Sequence, residues 1–440
     1  MRLDLVRNEK GKLRIPELKG IEKNCNDDFK KYYKYYKNNP TDLMQIWEQR
    51  AKMGVNPNNF APSGYPKYIV DLMSGYIGSP DKINYNSDDK NYLDLIDKIN
   101  KANHENTLSS KEVKEAGIYG VSCELHFIQK KGNKVIPRFI DVNPAQVVPI
   151  YDTTIAKDLV AVCWVTEKHM LVYYTDEIET YIQKDDGEWE LNKTEENDYE
   201  EIPWVITQNN DEKEPTWFCV KSYIDIINSL QTNTLNALDK HARGTLITSL
   251  QQSPELVQNL QHYNAIFDMD KGDDREGKDF FDFVDQNLDP DLRETMLTYF
   301  VNELHKISGI FDFTKLDLGQ DPSGTALKYR IYPMELKASE IVSYRIEGLE
   351  KRYELINKII DKMAVLGNAK VSSSAIDIEM VRNIPDNVKA ILEENNLMAS
   401  YVDAQTLRER VPNLDANEVE KRMTKEDSLK IDLDNVKNDE

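Results

Sequence analysis

Cysteine is scarce in this chain. Cys25, Cys123, Cys163 and Cys219 lie far apart and no two form a CxxC pair, which argues against a disulfide framework or a zinc cluster and fits a reducing compartment. Long apolar runs are missing too. No stretch approaches the roughly 20 apolar residues that span a bilayer, and the opening MRLDLVRNEKGKLRIPELKG has no apolar signal core, so a soluble protein is expected, neither secreted nor membrane-embedded. Positive charge is in deficit: 56 Lys and Arg face 77 Asp and Glu, a net charge of −21. That argues against a protein that grips nucleic acid by neutralising many phosphates, and any DNA contact is expected to be weak or confined.

Catalytic signatures are equally thin. There is no GxxxxGK(S/T) loop, hence no nucleotide-driven motor in this chain, and neither HExxH nor GxSxG occurs. The histidines, His104, His126, His169, His241, His262 and His305, are scattered without ligand spacing and read as structural. DMDKGDDREGKD at 268–279 is superficially a calcium loop, but Gly272, Asp273 and Asp279 stand where Asp or Asn, Gly and Glu are required. The acidic run at 185–201 has the carboxylates for a two-metal nuclease but no basic partner, and reads as a solvated hairpin. No enzyme, metal or cofactor is expected.

What is present is a helical pattern of unusual length. Over 321–366, apolar residues recur at Leu327, Ile331, Met334, Ala338, Val342, Ile346, Leu349, Tyr353, Ile356, Ile360 and Met363, steps of three or four that draw one stripe along a helix. At 1.5 Å per residue it runs roughly 60 Å, about twice a small domain's diameter. Asp321, Pro322 and Ser323 supply its start and Gly367 its stop, while Pro333, inside it, predicts a kink near Arg330.

With 440 residues and 40% hydrophobic content, the chain can build a sizeable core in two or three regions. KKYYKYYKNNP at 30–40 interleaves Lys with Tyr in a way that suits base stacking. The plainer reading is an amphipathic helix that buries Phe29, Tyr32 and Tyr36 and leaves the lysines in water. Helices are predicted at 41–53, with Thr41 as N-cap, and at 65–79; 84–109 is polar and helix-rich. From 115 to 210 the period turns to that of strands, with CELHFIQ, KVIPRFIDV, AQVVPIYD, LVAVCWV, MLVYYT, TYIQKDDGEWELN and IPWVITQNN. Residues 218–249 return to helix. A short acidic, Phe-bearing strand region at 268–285 is flanked by helical 254–266 and 290–307, IDIEMVRNIP at 376–385 is a lone strand, and 386–440 is helical with a charged tail.

SGTALKYRIYPMELKA at 323–338 resembles the segment that opens the long helix in portal, or head-to-tail connector, proteins of tailed bacteriophages of the siphophage type. Five further segments resemble the family in the same linear order: NFAPSGYPKYIVDLMSGYIGSP at 59–80, KEAGIYGVSCELHFI at 114–128, FIDVNPAQVVPIYD at 139–152, IPWVITQNN at 202–210 and VKSYIDIINSLQTNTLNALD at 220–239. Val121, Ser122 and Cys123 depart from the family's Ala-Tyr after the IYG turn, and no glycine follows Asn209 and Asn210.

The resemblance implies an α+β portal fold: residues 1–220 an N-terminal helical segment and β-rich wing, 221–249 and 289–308 two stem helices, and 250–288 a small clip insertion. It further implies a tunnel loop at 309–324, the long kinked helix and a wing strand at 325–385, and a helical crown and tail at 386–440. The implied assembly is a homo-oligomeric ring, usually a dodecamer, at one capsid vertex of the virion, made in the host cytoplasm. Double-stranded DNA passes through it without sequence specificity, and its implied partners are the packaging terminase, a head-completion or tail adaptor, and the major capsid and scaffolding proteins, with no membrane. DNA-facing positions are Thr314, Lys315, Gln320 and Ser323; docking positions in the clip are Asp273, Asp274, Glu276 and Asp279. Acidity suits such a conduit, because a bore with many phosphate contacts would hold DNA that must slide. The rival classes are a non-viral helical adaptor or scaffold, which needs no closed ring, and a metal-dependent hydrolase, which needs clustered carboxylates.

Overall fold

The computed structural model describes residues 27–52, 59–78, 82–132, 134–152, 154–185, 187–243, 245–248, 265–267, 281–284, 290–315, 324–366, 371–383, 397–398, 400–409, 411 and 419. The tyrosine-rich start is a helix, α1 (27–36), and its rings turn inward except that of Tyr33, which stays exposed. Tyr35 stacks on Trp217 at 5.1 Å, while Tyr32 meets Trp217 and Phe218, and Phe29 meets Tyr119, edge to face. Tyr35 and Tyr36 are buried and Lys30, Lys31, Lys34 and Lys37 exposed, so the amphipathic-helix reading holds. Tyr35, which that reading left out, is buried deepest of these tyrosines.

Helices α2 (Thr41–Lys52) and α3 (Tyr65–Ile77) follow, then strand β1 (Ile83–Asn86) inside a stretch expected to be helix-rich. Helix α4 (Lys90–Asn103) begins where the Asp89 carboxylate accepts from the amides of Asn91 and Tyr92. Helix α5 (Glu105–Tyr119) ends at Gly120, and the chain turns into β2 (Val121–Lys131).

Strands β3 (Lys134–Val142), β4 (Val147–Tyr151), β5 (Leu159–Val165), β6 (His169–Tyr173), β7 (Glu177–Gln183), β8 (Trp189–Glu196) and β9 (Trp204–Gln208) complete the β-rich body. They form a three-stranded sheet ordered β3-β2-β9 and a five-stranded meander β4-β5-β6-β7-β8, all antiparallel. Alternation along β5 assigns its side chains to two cores. Val162 joins Cys123, Leu125, Val142 and Trp204 from the smaller sheet, whereas Ala161, Cys163 and Val165 join Ile150, Met170 and Val172. The acidic run is the hairpin of β7 and β8, as expected.

Helix α6 (Lys221–Arg243) stops earlier than expected, and 245–248 are strand β10 (Thr245–Thr248) rather than helix. The β-branched TLIT favours that outcome once a pairing partner exists. It pairs in parallel with β11 (Ala265–Phe267), at the end of a stretch expected to be helical, and antiparallel with β12 (Phe281–Val284). The rest of 249–289 lies outside the described residues, including all but the last two residues of the helix expected over 254–266.

Helix α7 (Pro290–Ser308) precedes the long helix α8 (Gly324–Lys362), whose 39 residues run unbroken past Pro333. The stripe is buried as predicted at Ile331, Met334, Ala338, Val342, Leu349, Tyr353, Ile356 and Ile360; Leu327 lies among residues whose side chains are not described. The helix ends before Gly367, at Lys362, and Val365 beyond it bridges Val135 of β3 and is buried there. Strand β13 (Asp377–Met380) is not lone: it pairs antiparallel with β1, Ile83 opposite Met380 and Asn86 opposite Asp377. Of the expected helical end, α9 (Ala404–Glu409) is described, capped by the Asp403 carboxylate.

The chain divides into two compact units: Met1–Asp312 with Pro333–Arg382, and Phe313–Tyr332 with Asn383–Glu440. Among the described residues, no helix is long and apolar enough to cross a membrane.

Candidate functional site

Two constructions in the first unit bear on function, the root of the loop between α7 and α8 and the seat of α8 itself. At the loop root, α7 ends on Ser308, buried beside Leu304 and Ile310. Its carbonyl accepts from Lys337 Nζ at 3.2 Å, and its hydroxyl accepts from the Ile310 amide at 3.3 Å. Gly309 takes φ 70°, a left-handed turn, and a Cβ there would lie 3.2 Å from the Pro333 carbonyl oxygen. The imidazole of His305 reaches the Ile310 carbonyl through Nδ1 at 3.0 Å, and the rings of Tyr65 and Tyr68 stand edge-on to it at 6.2 and 6.0 Å. Tyr68 donates to the Phe311 carbonyl at 3.4 Å. Residues Gly309–Asp312 are thereby pinned to α3 and α7.

Of the predicted channel residues, Thr314 and Lys315 lie in a short 3-10 turn, Phe313–Lys315, and are exposed. Gln320 and Ser323 fall outside the described residues, as do Asp273, Asp274, Glu276 and Asp279 of the predicted clip. Pro333 sits inside α8 with its carbonyl against Gly309.

The seat of α8 was not legible in the sequence. Arg345 and Arg352, about two turns apart on one face, are 3% and 1% exposed. Arg352 Nε lies 3.0 Å from both carboxylate oxygens of Glu124 on β2; its Nη1 donates to Glu105 and Ser109 at 3.1 Å, and its Nη2 to Glu112 at 2.7 Å. Arg345 Nη2 donates to Ser109 Oγ at 3.1 Å and also to Glu112. His126 Nε2 is 2.6 Å from Glu124, and Tyr85 donates to Glu105 at 2.7 Å. Burial pushes the Glu112 carboxyl well up, its arginines only partly opposing that, and Glu124 adds to the rise. Burial acts the same way on Glu124, but the charge of Arg352 and the bond from His126 outweigh it and hold that carboxyl well down. Three carboxylates and two guanidiniums thus share one buried cluster. A signal did exist in the sequence: arginines seven apart beside an apolar stripe, with acidic residues on the helix Glu105–Tyr119.

Nearer the loop root, Tyr76 donates to Glu335 at 2.6 Å, and the Arg382 Nε reaches both of its carboxylate oxygens at 3.0 and 3.1 Å. Burial raises the Glu335 carboxyl, but these donors outweigh it and hold it below its usual range. This clamp fixes α3 and the segment after β13 to α8 just past Pro333. Nothing in either construction resembles a catalytic centre, and among the described residues no group of His, Cys, Asp and Glu is arranged to hold a metal ion.

Comparison with known proteins supplies the family. The model of the family described as phage portal protein, SPP1 Gp6-like, matches residues 17–431. Among solved structures, a chain from the virion of a native gene transfer agent particle is similar over 84% of this chain and 93% of its own, with 13% identity and a TM-score of 0.40. A chain from the neck of a native gene transfer agent particle computed with C12 symmetry is similar over 85% and 94%, with 13% identity and a TM-score of 0.39. No curated protein matches the chain. Since the family match takes in both of the chain's units rather than one of them, the chain belongs to the phage portal protein family of the SPP1 Gp6-like type.

Proposed function

We propose that copies of this chain close into a ring, of the twelve usual in the family, at one vertex of a phage capsid, and that double-stranded DNA passes through its bore at packaging and ejection. The observation that carries this is the family match over 17–431. The two sheets, α8 and the β1–β13 pair are the wing, α6 and α7 the stem, the small sheet of β10, β11 and β12 the heart of the clip, 309–324 the tunnel loop and 386–440 the crown. The work is structural rather than catalytic. Exposed apolar surface on the stem supports a ring: Met296 and Tyr299 on α7 are 43% and 56% exposed, and Leu238 on α6 is 55% exposed. Neighbouring copies cover such surface.

DNA slides because a chain of net charge −21 lines the bore mostly with like charge, so no array of phosphate contacts traps it. Lys315 touches phosphates transiently at the narrow level, Pro333 kinks α8, and Asp273, Asp274, Glu276 and Asp279 meet the terminase and then the adaptor. Mass photometry and negative-stain imaging of the purified protein, alone and co-expressed with capsid proteins, test the ring. Rings with a central hole are expected; monomers and open filaments under every condition would overturn the reading.

A further inference from the structure

The outer face of helix α1 is rich in lysine, unlike the acidic chain as a whole. Lys31, Lys34 and Lys37 are exposed, and among the described residues none of them has a carboxylate partner within ion-pair distance. Tyr33 is 41% exposed yet held: its ring stacks on Tyr119 at 6.0 Å, with Lys37 Nζ 5.4 Å from its centre. Lys67 and Lys114 flank the same corner, their Nζ atoms 5.2 and 5.7 Å from the Tyr36 ring and both paired to Asp71. This is a cationic pad around an aromatic ring, and the contacts of Tyr33, Lys37, Lys67 and Lys114 leave those side chains less conformational freedom to lose on docking.

The complementary surface is on the same chain. In β8, the outer strand of the five-stranded sheet, every side chain after Trp189 is exposed on both faces. It carries Glu190, Glu195 and Glu196, and in its hairpin with β7 the apolar side chains of Leu191 and Ile182 are 49% and 37% exposed. Lys184 and Lys193 neutralise part of this charge, pairing with Glu190 and Glu195.

We propose that the pad on α1 receives the acidic β7–β8 hairpin of a second copy, lysines against glutamates and Tyr33 against the apolar pair. This rests on the ring reading, because a closed ring repeats one heterologous contact in which each copy offers two different surfaces. Charge complementarity selects the occupant: steering favours an acidic partner, and this chain is itself strongly acidic. Single-stranded nucleic acid fits less well, since Tyr35 and Tyr36 are in the core and Tyr33 already has a stacking partner.

Zero-length carbodiimide cross-linking of the full-length protein, mixed from isotopically light and heavy preparations, tests the contact directly. Cross-links from Lys31, Lys34 or Lys37 of one copy to Glu190, Glu195 or Glu196 of another are expected. Reversal of the pad (Lys31→Glu, Lys34→Glu, Lys37→Glu) or of the hairpin (Glu190→Lys, Glu195→Lys, Glu196→Lys) should each lower the ring population roughly tenfold at low salt, with unchanged circular dichroism. A chain carrying both reversals should recover it. Links confined within one copy, or no recovery in the double reversal, overturn the proposal, as does a pad reversal that keeps its rings and instead loses DNA binding. If wild type forms no rings, the ring reading fails separately, and the absence of inter-copy links in whatever association remains overturns this contact too.

Discussion

At the scale of single residues, the molecule depends on charge that is buried and balanced. Arg352 serves Glu105, Glu112 and Glu124 at once, so removing it leaves carboxylates uncompensated in the core. Arg352→Met, which keeps most of the volume, should cost about 3–5 kcal/mol by denaturant unfolding; a loss under about 1 kcal/mol would show that water or relaxation takes over the role. Glu115, a helical turn from that network, behaves differently. Burial and then the Asp141 charge raise its carboxyl from 4.5 to about 7, with Lys111 opposing only in part, and its Oε2 has no hydrogen-bond partner. A raised acid contributes its stability below the unfolded value and loses it as pH rises through the folded one. Glu115 therefore erodes stability between pH 4.5 and about 7. Glu115→Gln should match wild type at the acid end and exceed it by up to about 3 kcal/mol at pH 8. Equal melting temperatures at both pH values would mean that the Lys111 pair keeps Glu115 ionised.

At the scale of elements, α8 is held by its stripe and by how closely it approaches the sheet. A Cβ on Gly348 would lie 2.1 Å from Thr207 Oγ1 on β9, nearer than atoms can approach. Alanine for glycine inside a helix ordinarily stabilises by about 1 kcal/mol. Here Gly348→Ala should instead destabilise, by roughly 1–3 kcal/mol, because both the helix and the strand are buried there. Thr207→Ala, which removes both the hydroxyl and the methyl group close to that Cβ, should restore part of the loss in the double variant. A G348A protein that melts above wild type would show that α8 can slide off β9. The stripe of α8 was readable from spacing alone, and so was the strand period of β2 to β9. The partner of β13 was not, since β1 is four residues long and lies nearly 300 positions earlier in the chain. Nor was β10 legible, because a short TLIT segment turns from helix to strand only when β11 and β12 are brought to it.

At the scale of the whole molecule, symmetry multiplies whatever one copy does. Under the ring reading, Lys315→Glu changes the charge at one level of the bore by two units per copy, all at the same height. Lys315 is exposed, so the variant should fold and assemble as wild type does. DNA packaged per capsid should fall several-fold at low salt and recover partly as salt screens the added charge. Packaging equal to wild type at low and physiological salt would remove Lys315 from the DNA path.

The sequence by itself determined the class of this protein: the length and phase of the α8 stripe, the strand period of the body, the absence of nucleotide and metal signatures, and the ordered segments that resemble portal proteins. Each of these is local or additive, written in spacing and composition, and so survives without coordinates. Only the tertiary structure decided where the charges of α8 go. The spacing of Arg345 and Arg352 hints at a shared partner, but that Glu105, Glu112 and Glu124 are the carboxylates that meet them in the core is settled only when α5 and β2 pack against α8. Whether a charge is solvated or buried depends on which helix and which strand arrive beside it, and the fold that buries several together has already supplied their counter-charges.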